Sequence, residues 1–204
     1  MTEIWQYFTG MPFWEWLAVI SALLYVILAA QENIWCWPAA LVSTVIYTVI
    51  FYDVYLWMDS VLQVYYCAMA LYGWYCWQNF SETKQQALKI QSWSWQTHLF
   101  IVTALSVISL IVGELMARFT PTDFPYLDSA TTVFAVFSTY LVTKKVVENW
   151  LYWIVIDAVS IYLYLAKDLQ ATAALFVIYV VIAIYGYIQW ITRYHRNNAI
   201  LQAN

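Results

Sequence analysis

Long apolar runs, separated by short polar or proline-containing breaks, follow one another along nearly the whole chain. Seven runs are recognisable, at about residues 12–30, 35–52, 57–77, 97–117, 127–143, 150–166 and 170–191. A membrane-crossing helix needs roughly 20 mainly apolar residues, and lipid offers no partner to backbone groups outside helices and closed barrels. No run shows the alternation over about ten residues that a barrel strand needs. The pattern predicts an all-α, polytopic membrane protein with seven transmembrane helices.

Composition supports this prediction and narrows the functional classes. The 204 residues are 64% hydrophobic and 10% charged, whereas soluble domains are about 25% charged. With eight Lys and Arg and a net charge of −4, the chain lacks the basic surface that nucleic-acid binding needs. Its three cysteines lack partners at zinc-ligand spacing. We therefore expect a bilayer protein with no nucleic-acid partner, no metal and no cofactor.

The placement of basic residues predicts the orientation. In a seven-span protein, one side carries Lys84, Lys89, Lys144, Lys145, Arg193 and Arg196, and the other carries Arg118 and Lys167. Because cytoplasmic loops are enriched in Lys and Arg, the first side is expected to be cytoplasmic. The N-terminus then lies outside and the C-terminus inside.

An internal repeat divides the chain. The first copy contains Glu32-Asn33, Trp37, Tyr66, Tyr72-Gly73 and Trp77, and the second contains Glu148-Asn149, Trp153, Tyr179, Tyr185-Gly186 and Trp190. This alignment has an offset of 116 residues at its start and 113 at its end. With three spans in each copy and one connecting span, the copies are parallel. We expect a first three-helix bundle with its loop (1–95), a connector (96–120) and a second bundle (121–204), with a substrate path between the bundles.

Candidate substrate residues lie on shared helix faces of the two copies. Residues four apart share a face, which aligns Asn149, Trp153 and Asp157. Asp157 is the one acidic residue deep inside an apolar run. Its side chain either faces a water-filled path or is protonated and hydrogen-bonded. The predicted substrate-binding set is Asn33, Trp37, Gln63, Tyr66, Asn149, Trp153, Asp157, Tyr179 and Trp190. The predicted helix-packing or gate set is Gly73, Trp77 and Gly186, and Trp77 and Trp190 could instead belong to an interfacial aromatic belt.

Other functional classes find less support in the sequence. An intramembrane aspartyl enzyme needs two close carboxylates, and only Asp157 is deep; no His-Glu-x-x-His or Gly-x-Ser-x-Gly motif occurs. A retinal-type photoreceptor needs a lysine within its last span, and residues 170–191 contain none. The sequence shows neither rings of charged residues nor a carbonyl filter, the features that would favour an ion channel. An aromatic, nearly uncharged interior favours a transporter of a small organic solute.

The chain resembles the PnuC vitamin transporters of bacteria. The resemblance rests on Asn33 to Trp37 and Asn149 to Trp153, on Asp157, and on the two Tyr-Gly-x-x-x-Trp segments that end at Trp77 and Trp190. It extends over about residues 12–195. It implies a 3+1+3 helix arrangement like that of SWEET sugar transporters, a homotrimer, and residence in the bacterial inner membrane.

The same resemblance implies import of nicotinamide riboside by facilitated diffusion, with cytoplasmic phosphorylation trapping the product. The kinase would act on the product without binding the transporter stably. Sister branches that take up riboflavin or thiamine remain open, as does a small sugar. An intramembrane enzyme is the alternative of a different class.

Overall fold

The computed structural model describes residues 12–53, 55, 57–82 and 88–203. In these ranges the protein forms seven α-helices and no β-strand, which confirms the predicted all-helical class. The helices are α1 (Phe13–Ala30), α2 (Cys36–Asp53), α3 (Trp57–Glu82), α4 (Trp95–Phe119), α5 (Pro125–Thr143), α6 (Asn149–Ala166) and α7 (Gln170–Ala203). Lys84, which the orientation prediction used, lies outside the described residues.

Local signals set the helix ends. The Ser94 hydroxyl accepts a 3.2 Å hydrogen bond from the backbone N–H of Thr97 and caps α4. Pro125 occupies the first turn of α5, where its missing N–H has no cost. Helices α3 and α7 extend well past the predicted ends of their apolar runs, because a polar sequence can continue a helix once it leaves the membrane.

Five of the helices in the described ranges are long and apolar enough to cross a membrane: α1, α2, α4, α6 and α7. Helices α3 and α5 are not among them. The sequence of α5 is interrupted by Ser and Thr along its length, which lowers its hydropathy. Length and composition alone thus support five of the seven predicted spans.

Six of the helices form a closed ring. Successive contacts run from α1 to α2, α3, α5, α6 and α7, and α7 packs back against α1. Helix α4 packs against α5 outside this ring. The six helices of the ring surround a common interior, and α4 lies at the periphery.

Paired charges mark the two ends of the ring. At one end, Glu32 in the α1–α2 turn contacts Lys145 in the α5–α6 turn at 3.0 Å and Arg193 of α7 at 2.7 Å. At the other end, Lys167 contacts Asp128 at 3.2 Å. The ion pairs at the first end therefore join elements from both halves of the chain.

The two halves correspond at a constant offset of 113 residues. Helices α2 and α6 are both 18 residues long, and they begin at Cys36 and Asn149. The four non-glycine residues with positive φ among the described residues form two pairs at the same offset, namely Glu32 with Lys145 and Tyr55 with Asp168.

The constant offset corrects the sequence alignment. The match of Trp37 with Trp153 at an offset of 116 is wrong by three residues, and Trp37 corresponds instead to Trp150. Asn33 was expected on the face of the second span, but it lies in the turn before α2. The two Glu-Asn-x-x-x-Trp segments thus occupy different structural positions.

Candidate functional site

A cavity of about 290 Å³ lies inside the helix ring. All six ring helices contribute to its wall, and among the described residues none from α4 does. The wall is formed by Ala22, Tyr25, Val26, Ala29, Trp37, Ala40, Ser43, Thr44, Tyr47, Gln63, Tyr66, Ala70, Thr139, Val142, Trp150, Trp153, Asp157, Phe176, Tyr179 and Ala183. A space of this size, reached by side chains from both halves, is the candidate functional site.

Aromatic rings dominate the wall. Eight of the residues that line the cavity are Trp, Tyr or Phe. Such faces can stack on a flat ligand ring and attract a delocalised cation. Hydroxyl and amide groups from Ser43, Thr44, Gln63 and Thr139 are interspersed among them. The cavity therefore suits a compact ligand with a planar ring and several polar groups.

Two glycines allow two of these tryptophans to reach the cavity. A Cβ at Gly186 would lie 2.7 Å from ring atoms of Trp150, and a Cβ at Gly73 would overlap the ring of Trp37. The two contacts are equivalent at the 113-residue offset. Helix α2 therefore packs onto α3, and α6 onto α7, through an indole ring that lies flat against a glycine.

Four tryptophans connect the cavity wall with the charged end of the ring. The Trp37 ring lies 5.2 Å from Trp77 and the Trp150 ring lies 5.5 Å from Trp190, both edge to face. The ring centroids of Trp77 and Trp190 are 6.3 Å apart. The Lys145 ammonium lies 4.5 Å from the Trp77 ring centroid. Indole rings and ion pairs thus fill the space between the cavity and this end.

Among the residues that the structure describes, Asp157 is the only charged side chain that lines the cavity. It is 5% exposed, and it takes part in no side-chain hydrogen bond or ion pair with the residues that the structure describes. At the 113-residue offset its counterpart is Thr44, whose hydroxyl donates to the Ala40 carbonyl at 2.9 Å. The two halves therefore present different chemistry at equivalent positions.

The structure brings six of the nine predicted substrate residues to the cavity. Those that line it are Trp37, Gln63, Tyr66, Trp153, Asp157 and Tyr179. They lie on α2, α3, α6 and α7, the four helices from which the sequence analysis had chosen them. The remaining three make local contacts away from the wall.

Asn33, Asn149 and Trp190 do not line the cavity. Asn33 Oδ1 accepts a hydrogen bond from the Trp35 backbone N–H at 3.0 Å and stabilises the α1–α2 turn. Asn149 is fully buried and donates to the Val146 carbonyl. Trp190 donates from Nε1 to the Ala29 carbonyl at 3.1 Å. These contacts place all three side chains in local packing away from the cavity wall, although the buried Asn149 Oδ1 has no hydrogen-bond partner among the described residues.

Sequence reasoning missed several wall residues. Tyr25, Tyr47, Trp150 and Phe176 line the cavity but were not selected. A signal existed for Trp150, which aligns with Trp37 once the offset is set to 113. For the other three, the chain contains too many aromatic residues for composition to separate wall from membrane belt.

The described residues hold no group of three or more His, Cys, Asp or Glu side chains arranged to bind a metal ion. Cys36, Cys67 and Cys76 are free thiols. The chemistry available at the cavity is therefore that of rings, amides, hydroxyls and one carboxylate. These groups recognise a ligand through stacking, hydrogen bonds and charge.

A comparison with known protein families shows which family the chain belongs to. The family model described as nicotinamide mononucleotide transporter matches residues 12–192. The chain belongs to this family. It is a membrane transporter, as the sequence analysis concluded from the pattern of its apolar runs and aromatic residues.

Characterised members of the family give a consistent picture. The nicotinamide riboside transporter PnuC of Escherichia coli K12 is 26% identical over 203 residues, which cover 87% of this chain and 84% of that protein. The riboflavin/roseoflavin transporter RibM of Streptomyces davaonensis is 24% identical and covers 88% of this chain and 84% of its own length. These relatives support the resemblance to PnuC transporters found from the sequence.

A solved structure shares the fold. A crystal structure of the vitamin B3 transporter PnuC superposes with a TM-score of 0.71 and 22% identity, covering 88% of this chain and 81% of that one. The similarity extends over most of the chain. It supports the fold described above.

Proposed function

We propose that the protein imports nicotinamide riboside by facilitated diffusion and that cytoplasmic phosphorylation traps the product. Two relatives are named nicotinamide riboside transporter PnuC. The cavity is the observation that carries the proposal. It combines eight aromatic residues with one carboxylate, which matches a ligand with a flat cationic ring. The kinase acts on the released product and needs no stable contact with the transporter.

The chemistry of the ligand fits the wall. Nicotinamide riboside carries a pyridinium cation, an amide and ribose hydroxyls. Ring faces such as those of Trp153 and Tyr179 attract the cation by about 0.5–2 kcal/mol each. The Gln63 amide can pair with the ligand amide, and the Asp157 carboxylate can accept from a hydroxyl or face the cation. Weak contacts spread over several groups also allow the solute to leave.

Riboflavin is the second candidate, because RibM is a relative. Its uncharged three-ring system is larger than one pyridinium ring. The cavity, at about 290 Å³, is just smaller than the roughly 300–1,000 Å³ range of small-molecule sites. Both its size and its carboxylate favour the single-ring nucleoside. Thiamine or a small sugar would be accommodated by the same fold.

The same arrangement argues against chemical conversion of the ligand. Asp157 is the single carboxylate that the described residues bring to the cavity wall, whereas aspartyl catalysis requires two carboxylates that share a proton. We propose that the solute passes through unchanged. Catalytic breakdown of the riboside by purified protein would contradict this part of the proposal.

We further propose a 3+1+3 arrangement of seven membrane spans. The contacts support it, because α3–α5 and α7–α1 are equivalent at the offset of 113 residues and α4 stands outside the ring. The bundles would comprise residues 1–95 and 121–204, with 96–120 as the connector. The end with Glu32, Lys145 and Arg193 would face the cytoplasm by the positive-inside rule, in a bacterial inner membrane with the N-terminus outside.

A homotrimer is part of the proposal through the resemblance to PnuC transporters. Helix α4 packs against α5 and exposes apolar side chains such as Phe100, Leu110 and Ile111. That surface is available to lipid or to a second copy. Native mass spectrometry of the detergent-solubilised protein, with a mass of three chains expected and one chain contradicting it, tests the trimer.

The transport proposal is tested with purified protein in liposomes. Radiolabelled nicotinamide riboside should enter with saturable kinetics, and an excess of unlabelled riboside should compete more strongly than riboflavin or thiamine. Protein-free liposomes serve as the control. Stronger competition by riboflavin or thiamine would transfer the assignment to that vitamin.

A further inference from the structure

Asp157 combines three features that the proposed transport of nicotinamide riboside does not by itself explain. It is the only charged residue that the described part of the chain places on the cavity wall, it is 5% exposed, and no described residue gives its carboxylate a hydrogen bond or an ion pair. A carboxylate held away from water without a partner is costly. A partner from outside the chain would remove that cost.

Four cationic side chains among the described residues are engaged elsewhere. Lys145 and Arg193 both contact Glu32, and Lys167 contacts Asp128. Lys144 hydrogen-bonds the Tyr72 hydroxyl, and that contact raises the pKa of the lysine. None of these four residues lines the cavity. A cationic ligand would supply the positive charge that complements Asp157.

The two halves of the wall differ in charge at one equivalent position. Where the second half has Asp157, the first half has Thr44, and the Thr44 hydroxyl is already bonded to the Ala40 and Leu41 carbonyls of its own helix. Trp153, Phe176 and Tyr179 line the cavity from the two helices α6 and α7, on the side of the carboxylate. A negative charge and several ring faces thus belong to the same half.

We propose that Asp157 determines specificity by selecting a ligand with a positively charged ring and directing that ring toward α6 and α7. This inference rests on the proposed function and deepens it. Attraction between the carboxylate and the ring distinguishes a pyridinium from an uncharged ring of the same shape. The aromatic faces bind both rings, and the carboxylate favours only the cation.

The oxidised and reduced forms of the riboside provide matched probes. Nicotinamide riboside has a pyridinium cation, and its 1,4-dihydro form is uncharged but nearly equal in size. Binding of both compounds is measured by calorimetry on purified wild-type protein, on Asp157→Asn and on Thr44→Val. The asparagine retains the shape of Asp157 and removes its charge, and Thr44→Val alters the equivalent wall position without changing charge.

The wild type should bind the oxidised form at least about tenfold more tightly than the reduced form. Asp157→Asn should weaken the oxidised form by about tenfold or more while leaving the reduced form within about threefold. Thr44→Val should keep the wild-type preference. Equal losses for both forms in Asp157→Asn, or no loss for either, would overturn the inference while leaving the transport proposal in place.

A double variant tests the same inference by moving the charge. Thr44→Asp combined with Asp157→Thr places the carboxylate at the equivalent position of the other half. This variant should again prefer the oxidised form, with the ring directed toward α2 and α3. A variant that elutes as wild type in size-exclusion chromatography and prefers the reduced form would overturn the inference. Failure of wild type to bind either form would instead contradict the transport proposal itself.

Discussion

The carboxylate of Glu32 accepts a 3.0 Å hydrogen bond from the ammonium group of Lys145, and these two residues occupy equivalent positions of the two halves. Both have positive φ, at 59° and 54°, and each lies in the turn after the first helix of its half. Arg193 donates a second charged hydrogen bond to Glu32 at 2.7 Å. Glu32 therefore links the halves at one end of the cavity.

Substitution Glu32→Gln should destabilise the protein, because it leaves Lys145 and Arg193 close together without their shared anion. Removing the partner of a partly buried charged group costs about 1–3 kcal/mol. For a chain of this length each kcal/mol lowers Tm by roughly 2–4 °C. Thermal unfolding followed by intrinsic fluorescence measures the change.

Asp53→Asn provides the matched control, since Asp53 is exposed at the end of α2. This substitution makes the same chemical change and should leave Tm nearly unaltered. Equal shifts of Tm in the two variants would contradict a linking role for Glu32.

Substitution Gly186→Ala should destabilise the packing of α6 on α7. The added Cβ would lie 2.7 Å from ring atoms of Trp150, and overpacking of this kind costs about 1–3 kcal/mol. Adding Trp150→Phe, which removes part of the indole, should recover some of the lost stability. If the double variant unfolds at the sum of the two single losses, the contact does not carry the effect.

Substitution Trp153→Ala should reduce uptake and riboside affinity while leaving assembly intact. Loss of one ring face on a cation corresponds to about 0.5–2 kcal/mol, or about 2- to 30-fold in affinity. Trp95→Ala is the control, because Trp95 is 71% exposed on α4 and does not line the cavity. Normal uptake by Trp153→Ala would place the site elsewhere.

Collapse of a pH gradient should leave uptake unchanged. If the ligand brings the positive charge that Asp157 requires, as proposed above, no proton has to accompany it. Proteoliposomes with the membrane potential clamped at zero, with and without a proton ionophore, provide the comparison. Strong inhibition by the ionophore would instead identify Asp157 as a proton carrier.

The helices could be predicted well because hydropathy dominates in a membrane protein. The predicted runs 12–30 and 127–143 differ from α1 and α5 by one or two residues at their starts and share their ends. The end of α7 at Ala203 was not predictable from hydropathy, since the segment after residue 191 is polar. A helix satisfies its own backbone hydrogen bonds, so its length is not limited to the apolar part.

The cavity was predictable only in part. Asp157 stood out because a lone carboxylate in an apolar run is costly, and Trp153 was found because it shares a helix face with Asp157. The offset of 113 was missed at the start of the repeat because an identical Glu-Asn-x-x-x-Trp pattern occurs three residues out of register. Tyr25 and Tyr47 were missed because the side from which helices pack on one another, not the residue type, decides which rings reach the cavity.

The most direct test of the central claim is a structure determined with nicotinamide riboside at saturating concentration. The account predicts ligand density inside the ring of six helices, with the pyridinium ring against Trp153 and within reach of the Asp157 carboxylate. Density confined to another surface, or a cavity without density when calorimetry shows the protein to be saturated, would contradict it.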